Sequence, residues 1–483
     1  MAGIGFALRA FSRQETLSAL VKASGHAAII AAGPWLFTIF SLAAITALAG
    51  PLAGHEILAT FRAVIIYAFA TSLVLAAPVT IVATRLLADQ LWRKDPARVR
   101  PLLIAGMGLA AAAVSFGVAA LVVYFGCPVQ LALALYATTA IVAMIWVAIA
   151  FCGAVHDYFG ITTAFATGLV IAIAAATLAA LAGLGAAGMV WGFATGLAVT
   201  LLGLILRVLA AFPPSAVSPL TQGQALIRGF GPYASLAIGA LFGTAAVWVD
   251  KFVFWFSPEG QSVDGGLIHA PLYDSAMFIA SLVIIPALAQ FVIKLETEFF
   301  DRYQTYYGTI QAHGTIGQIE AARVRLQGLS LESLALITVA QAAIAAVLIL
   351  TAPAIVEILN LQFRQIAILR YGALGSVFQF IFIAATSMIM FFDRRAIYCA
   401  LQILFFALNM VLSILTVRWG EDYYGVGYFA ASLIASAVAL IIAERTFAKL
   451  NYLTFIGNNP SIMVARRPGS HWLAAFKRRA AGR

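Results

Sequence analysis

Four ionisable residues lie within or beside long apolar runs of this sequence: Arg62, Asp250, Lys251 and Asp274. A charged side chain in hydrocarbon costs several kcal/mol unless it is paired, hydrated or close to an interface, so such residues mark polar paths in membrane proteins. The apolar runs place all four toward the same end of their helices. We therefore predict that they line a hydrated cavity at that end.

Aromatic side chains accompany these charges. Trp248, Lys251 and Trp255 are spaced i, i+3 and i+7, which places them on one face of a helix. On such a face a sugar ring stacks on an indole while the ammonium group binds a hydroxyl. Tyr273, next to Asp274, belongs to the same candidate path. The alternative is an aromatic belt at the membrane interface with a snorkelling lysine.

Three prolines interrupt the apolar runs: Pro34, Pro78 and Pro286. Each lacks a backbone donor and favours a helix kink, so the three positions are candidate hinges. Simple packing geometry is the alternative explanation, because proline is common in membrane helices.

The elements that carry these residues are about twelve apolar runs, each about twenty residues long and able to cross a hydrocarbon core of about 30 Å. Hydrophobic residues make up 63% of the chain and charged residues 10%, whereas soluble domains have about 25% charged residues. We predict an all-α polytopic membrane protein with about twelve transmembrane helices in two six-helix lobes. The predicted spans are 26–49, 57–83, 102–125, 130–151, 161–183, 187–210, 229–256, 271–293, 330–352, 367–391, 396–417 and 425–444.

Five segments follow from this division. An amphipathic N-terminal segment lies at 1–24, with a frayed basic terminus as its alternative. Pro213 and Pro214 mark the linker between two halves with equal numbers of spans. The segments are 1–24, an N-terminal lobe at 25–210, a linker at 211–228, a C-terminal lobe at 229–447 and a basic tail at 448–483.

Basic residues fix the expected orientation. Five of the 29 Lys and Arg residues fall in or near the outer ends of the spans if the N-terminus is cytoplasmic, and the others fall in inner segments. The positive-inside rule therefore predicts that both termini are cytoplasmic and that Arg62 and Lys251 lie near the outer side. This asymmetry also explains the net charge of +10 without nucleic acid.

No motif predicts catalysis, a cofactor or a metal. The G-x-G-x-x-G match at 183–188 lacks the acidic residue that a dinucleotide site needs about twenty positions onward, and we predict a tight turn there. The sequence has no Walker A motif, no D-x-D and no metal-ligand spacing among its six histidines. We predict a protein that is not an enzyme.

Several strings, in order along nearly the whole chain, resemble the exporter family of the bacterial Pel exopolysaccharide system. They are Met1 to Phe6, Gly33-Pro34-Trp35, Trp248 to Lys251, Pro271 to Asp274, Ile285-Pro286, Glu296 to Phe300, Tyr306-Tyr307 and Phe392 to Arg395. The resemblance implies the fold of the multidrug, oligosaccharidyl-lipid and polysaccharide flippases, with two lobes around a central cavity.

The same resemblance implies a cargo and a setting. The cargo is a polysaccharide rich in N-acetylated galactosamine and glucosamine, exported across the bacterial inner membrane for a biofilm matrix. The implied partners are membrane lipid, a cytoplasmic glycosyltransferase and membrane subunits that include a cyclic-di-GMP receptor. The resemblance carries no role to Arg62, Asp250, Lys251 or Asp274.

Two other functions stay open at this stage. One is an ion-coupled antiporter or lipid-linked oligosaccharide flippase, which needs an ion-binding carboxylate deep within a lobe. The other is a non-conducting scaffold of a synthase complex that uses the helical loop 294–328 and the basic tail to dock partners.

Overall fold

The computed structural model describes Phe37, residues 39–155 and residues 157–457. Ten helical stretches in this part of the chain are long and apolar enough to span a membrane, with Pro271–Gln311 counted as one of them. There are up to eleven if Pro219–Gly229 and Ala234–Ala246, which are bent by 86°, count together as one span. The all-α polytopic fold is therefore confirmed. The segment 1–24, Pro34 and the tail beyond residue 457 lie outside the described residues.

The N-terminal half folds into long helices joined by short turns. Helix α5 packs along α6, and α2 contacts α3, α4 and α6. The glycine-rich string is the turn between α5 and α6, where Gly183 and Gly185 adopt positive φ angles of 67° and 65°. The helices are α1 (Ile39–Ala53), α2 (His55–Trp92), α3 (Val99–Phe125), α4 (Val129–Cys152), α5 (Tyr158–Leu181) and α6 (Gly185–Ala211).

The C-terminal half is more interrupted. A two-stranded hairpin, β1 (Gln261–Ser262) and β2 (Ile268–His269), stands between two broken spans. The predicted linker is partly helical because it contains most of α7. The helices are α7 (Pro219–Gly229), α8 (Ala234–Ala246), α9 (Val249–Trp255), α10 (Pro271–Ser281), α11 (Ile284–Lys294), α12 (Phe300–Gln311), α13 (Ile316–Ile358), α14 (Gln365–Phe391), α15 (Arg395–Trp419), α16 (Val426–Ala448) and α17 (Leu450–Tyr452).

Two predicted spans are broken helices. Helices α8 and α9 are separated at Val247 and Trp248, and α10 and α11 at Leu282 and Val283. The second break has a cause in the sequence, since Pro286 lacks an N–H and its ring crowds the carbonyl of Leu282 four residues earlier. Pro78, by contrast, lies inside α2 without interrupting it.

Side chains of neighbouring helices bind backbone carbonyls along the interrupted spans. Asn409 Nδ2 donates to the Ala246 carbonyl at 2.8 Å, and Ser376 Oγ donates to the Ala280 carbonyl at 3.1 Å. Pro353 leaves the Ile349 carbonyl of α13 without its helical donor, and Arg370 Nε lies 3.3 Å from that oxygen. An unsatisfied backbone group in hydrocarbon costs several kcal/mol, so these contacts permit the irregular backbone.

The two lobes meet along α2, which contacts α8 of the C-terminal half. At one end Tyr233 donates to Asp89 Oδ2 at 3.1 Å, and the Arg395 guanidinium lies 4.8 Å from the Tyr233 ring centroid. We call this the basic end, because the basic turns after α2 and α14 lie here. The opposite end, which carries β1 and β2, is called the hairpin end.

Small residues join α5 to α6. A Cβ added at Gly196 lies 2.4 Å from the Gly168 carbonyl oxygen and 2.5 Å from the Ala172 nitrogen, so the two backbones are in contact. Close backbone approach of this kind is a general device for packing helices in membranes. The outward surface is apolar, with Phe116 81% and Val123 83% exposed, as contact with lipid requires.

We expect Gly196→Ala to force α5 away from α6 and to destabilise the protein by about 1–3 kcal/mol, the usual cost of overpacking. The measurement is the thermal midpoint of the purified protein in detergent. Gly108→Ala is the matched control, since Gly108 is an exposed glycine of α3 with no atom within 4 Å of an added Cβ. Equal midpoints for the two variants would contradict this account of the α5–α6 contact.

Candidate functional site

Asp250 is a carboxylate buried inside the membrane domain. It stands in the first turn of α9, and its side chain is 0% exposed. Lys251 Nζ lies 3.3 Å from Asp250 Oδ2, and the Tyr273 hydroxyl donates to the same oxygen at 2.9 Å. The carboxylate therefore has a cation and a hydroxyl as partners, which offset part of its desolvation.

Lys251 connects this carboxylate to the break in the span. Its Nζ also donates to the Val247 carbonyl at 3.1 Å and lies 5.8 Å from the Trp248 ring centroid. A cation at this distance is attracted by the negative face of an indole. Because the side chain is 16% exposed, the ammonium is the more accessible member of the Asp250–Lys251 pair.

Asp274 forms a second, neighbouring cluster with Trp255. Its Oδ2 accepts the indole N–H of Trp255 at 2.8 Å and the Ala270 backbone N–H at 3.1 Å. Its Oδ1 is buried and has no partner among the described residues. Phe254 and Tyr273 stack with ring centroids 3.7 Å apart, which links the Trp255 helix to α10.

The Trp255 ring also forms the contact between the two lobes at the hairpin end. Tyr67 of α2 lies with its ring centroid 4.5 Å from that of Trp255, and its hydroxyl donates to the Ile268 carbonyl at 2.8 Å. Phe125 packs edge-on against Tyr67 at 5.6 Å. We call Tyr67, Phe125, Trp255 and Ile268 the α2–α9 seam.

Gly266 brings the hairpin against this seam. It has a φ of +81°, and an added Cβ would lie 2.4 Å from the Phe125 carbonyl oxygen. A side chain at this position is therefore excluded both by backbone conformation and by space. The hairpin of the C-terminal half reaches the end of α3 only because residue 266 is glycine.

Arg62 lies on α2 near the seam. It is half-buried, its Nε lies 3.3 Å from the Leu58 carbonyl oxygen, and no described carboxylate lies within ion-pair distance. Burial, and then the charge of Arg62, lower the pKa of His269 in the hairpin below its ordinary 6.5. The positive charge of Arg62 therefore disfavours protonation of His269 in the hairpin.

The structure brings most of the predicted path residues together. Asp250, Lys251 and Tyr273 form one cluster, and Trp255 and Asp274 form the adjoining one. Trp255 is only 1% exposed, so in this conformation its ring offers no free face for a sugar. The conduction roles of Arg62, Trp248, Asp250, Lys251, Trp255, Tyr273 and Asp274 and the hinge roles of Pro34, Pro78 and Pro286 stay predictions.

Tyr67 and His269 were not among the predicted site residues. Tyr67 follows Arg62 by little more than one helical turn, but its partner Ile268 is 201 residues away. No local spacing in the sequence signals such a contact. Within the described residues, no group of three or more His, Cys, Asp and Glu side chains is arranged to hold a metal ion.

A family model described as "PelG: Putative exopolysaccharide Exporter (EPS-E)" matches residues 1–455. No individual curated protein matches the chain.

Solved structures of MATE transporters share the fold. A MATE crystal structure in the straight conformation matches with a TM-score of 0.61 and 16% identity over 89% of this chain and 96% of that one. An outward-facing MATE multidrug resistance transporter of the MOP superfamily gives a TM-score of 0.59 and 18% identity over 89% and 96%. An inward-facing structure gives 0.55 and 14% over 86% and 96%. The chain therefore has the same fold as these MATE structures.

We expect Trp255→Phe to destabilise the protein by about 1–3 kcal/mol, because Asp274 loses a donor in a buried setting. The measurement is the thermal midpoint in detergent at neutral pH. Trp191→Phe is the matched control, since Trp191 lies on the surface of α6 with 46% exposure. A midpoint that falls equally in both variants would show that the indole N–H to Asp274 contact contributes nothing specific.

We expect His269 to make the protein less stable in acid. Its pKa is lowered in the folded state, so as pH falls below about 6.5 the unfolded chain binds a proton that the folded chain does not, and stability is lost. His269→Gln removes this loss, so its thermal midpoint falls less than that of the unmodified protein between pH 7.5 and 5. In Arg62→Gln the thermal midpoint should also fall less than in the unmodified protein, because the charge that lowers the pKa of His269 is removed. Identical pH profiles for all three proteins would rule out the effect.

Proposed function

Because the chain belongs to the PelG family of exopolysaccharide exporters, we propose that it carries a Pel-type N-acetylated amino-sugar polysaccharide across the bacterial inner membrane. The proposed path runs between two lobes, residues 25–210 and 229–447. Family and fold are those of a transporter rather than an enzyme. The polymer identity, the path and the lobe boundaries are parts of the proposal.

The α2–α9 seam is the observation that carries this path. It is a place where side chains of the two lobes touch, and it combines aromatic rings with polar groups, Tyr67 and Trp255 beside Arg62 and the Asp250–Lys251 pair. Sugars need both chemistries, since their C–H faces stack on rings and their hydroxyls exchange hydrogen bonds. Parting of the lobes would expose the Trp255 ring that is now covered.

The arrangement of charge also suits a neutral polymer. Lys251 is balanced by Asp250, and Asp274 already accepts two N–H groups. A cargo that must keep moving requires weak and repeated contacts, because strong ones would hold it in place. An ion-coupled antiporter instead needs a carboxylate free to take up a cation. Asp250 is already engaged by Lys251 and Tyr273, whereas Asp274 Oδ1 has no partner among the described residues, so the ion-gradient arm of the reconstitution below decides between the two functions.

The proposal includes orientation and partners. The basic end faces the cytoplasm, as the positive-inside rule predicts. Helix α12 at this end exposes Asp301, Arg302, Gln304 and Thr305, a polar surface suited to a cytoplasmic glycosyltransferase. Membrane subunits, including a cyclic-di-GMP receptor, complete the proposed synthase complex, and lipid surrounds the helices.

Reconstitution tests the function directly. The protein is placed in vesicles with the polymerising glycosyltransferase and supplied with sugar nucleotides on one side. Polymer should be found on the opposite side only when this chain is present, and an imposed or dissipated ion gradient shows which force moves it. Polymer synthesis without transfer, in vesicles that contain the intact complex, would support the scaffold instead.

We expect Arg62→Gln to lower polymer transfer about tenfold, the effect of roughly 1.4 kcal/mol in a rate-limiting step, because the path loses a cation that has no carboxylate partner among the described residues. The measurement is transferred polymer per correctly inserted protein. Arg418→Gln is the matched control, an exposed arginine at the other end of α15 from Arg395. Unchanged transfer in Arg62→Gln at equal insertion would remove Arg62 from the path.

A further inference from the structure

A cavity of about 420 Å³ lies between α15 and α16 at the basic end. Its walls are largely apolar, formed by side chains of both helices that include Ile397, Leu404, Val438 and Ile442. The volume is in the range of ordinary ligand sites, about 300–1,000 Å³. It lies far from the α2–α9 seam, at the opposite end of the bundle.

Three cations line the same cavity: Arg394, Arg445 and Lys449. Arg445 and Lys449 are spaced i, i+4 on α16 and its C-cap, and Arg394 is the residue before α15. None of the three pairs with a carboxylate among the described residues. The nearby Asp393 is bound by Arg395 at 2.7 Å, and no acidic side chain belongs to the lining.

Like charges that converge without a counterion repel each other, so the cavity favours an anion. The apolar walls behind the cations favour a hydrocarbon chain attached to that anion. Both features stand where the membrane-spanning helices α15 and α16 leave the hydrocarbon, which is the depth of lipid phosphates. The ligand chemistry is therefore that of an anionic amphiphile.

We propose that this cavity binds one anionic glycerophospholipid of the cytoplasmic leaflet. Its phosphate lies among Arg394, Arg445 and Lys449, and an acyl chain lies between α15 and α16. The two ends of the chain are less suitable occupants of the cavity, because both carry positive charge that its cations would repel. The N-terminal end contains Arg9, Arg13 and Lys22, and the C-terminal end contains Arg466, Arg467 and Lys477.

The test is native mass spectrometry of the purified full chain titrated with phosphatidylglycerol or phosphatidylcholine. Phosphatidylglycerol should bind at one saturable site and phosphatidylcholine should not. The variant Arg394→Gln/Arg445→Gln/Lys449→Gln should bind about 100-fold more weakly, because three cation contacts to the phosphate are lost. Ala400→Trp, which fills the cavity from the α15 side without changing its charge, should weaken binding about tenfold.

Matched controls separate this site from general attraction to basic surfaces. Arg93→Gln/Lys94→Gln/Arg325→Gln removes three exposed cations of the basic end outside the cavity and should leave binding unchanged. Glycerol 3-phosphate, the headgroup without chains, should not displace the lipid. Deletion of residues 458–483 should leave binding unchanged.

Four outcomes would overturn the proposal. The first is that phosphatidylcholine binds as tightly as phosphatidylglycerol, and the second is that the control variant loses as much binding as the cavity variant. The third is that glycerol 3-phosphate displaces the lipid, which would make a soluble phosphate the ligand. The fourth is that lipid binds more tightly after deletion of the tail, which would make the tail the occupant. If the triple variant of Arg394, Arg445 and Lys449 does not fold, the single variants Ala400→Trp and Lys449→Gln test the site in its place. Unchanged lipid binding in both single variants would overturn the proposal.

Discussion

The structure depends on how backbone carbonyls are satisfied where membrane helices break. In hydrocarbon no water replaces a lost helical hydrogen bond, so an interrupted span survives only if another side chain donates to it. Asn409, Ser376 and Lys251 do this for the breaks in the C-terminal half. The break before α9 in turn places Asp250 in the first turn of a new helix, where it meets Tyr273. The buried position of Asp250 is thus a consequence of the irregular backbone. Lys251 stabilises both, because its ammonium pairs with Asp250 and donates to the Val247 carbonyl at the break.

The two lobes solve the packing problem differently. In the N-terminal half, α5 and α6 approach through Gly168, Gly192 and Gly196, and their backbones touch. In the C-terminal half, buried side-chain amides such as Gln341, Gln379 and Asn409 occupy the interior. Directional hydrogen bonds have alternative partners, whereas close backbone contacts lose dispersion energy as soon as they separate.

Hydropathy predicted the membrane spans well because crossing a bilayer requires about twenty apolar residues whatever the neighbours are. It did not predict the break at Trp248, where the apolar run is continuous and the donor, Asn409, is distant in sequence. The span predicted at 57–83 is the apolar part of a longer helix, since α2 continues to Trp92, and a helix continues past the hydrocarbon when its residues remain helix formers. The charges of the site were recognisable because burial makes them rare. The sequence did not indicate that the Trp255 ring is covered, because the residue that covers it, Tyr67, belongs to the other lobe.

A polymer imposes a further condition on the proposed path. Small cargo fits within one membrane thickness, so a transporter can close one end before it opens the other. A polysaccharide longer than about 30 Å occupies both ends at once, and closing either end on it would arrest transfer. The α2–α9 seam must then stay parted for as long as a chain is in transit, and its closed form belongs to the empty protein. The tight contact of Tyr67 with Trp255 and Ile268 is suited to that role, because on the proposed path it would seal the membrane when no polymer is present.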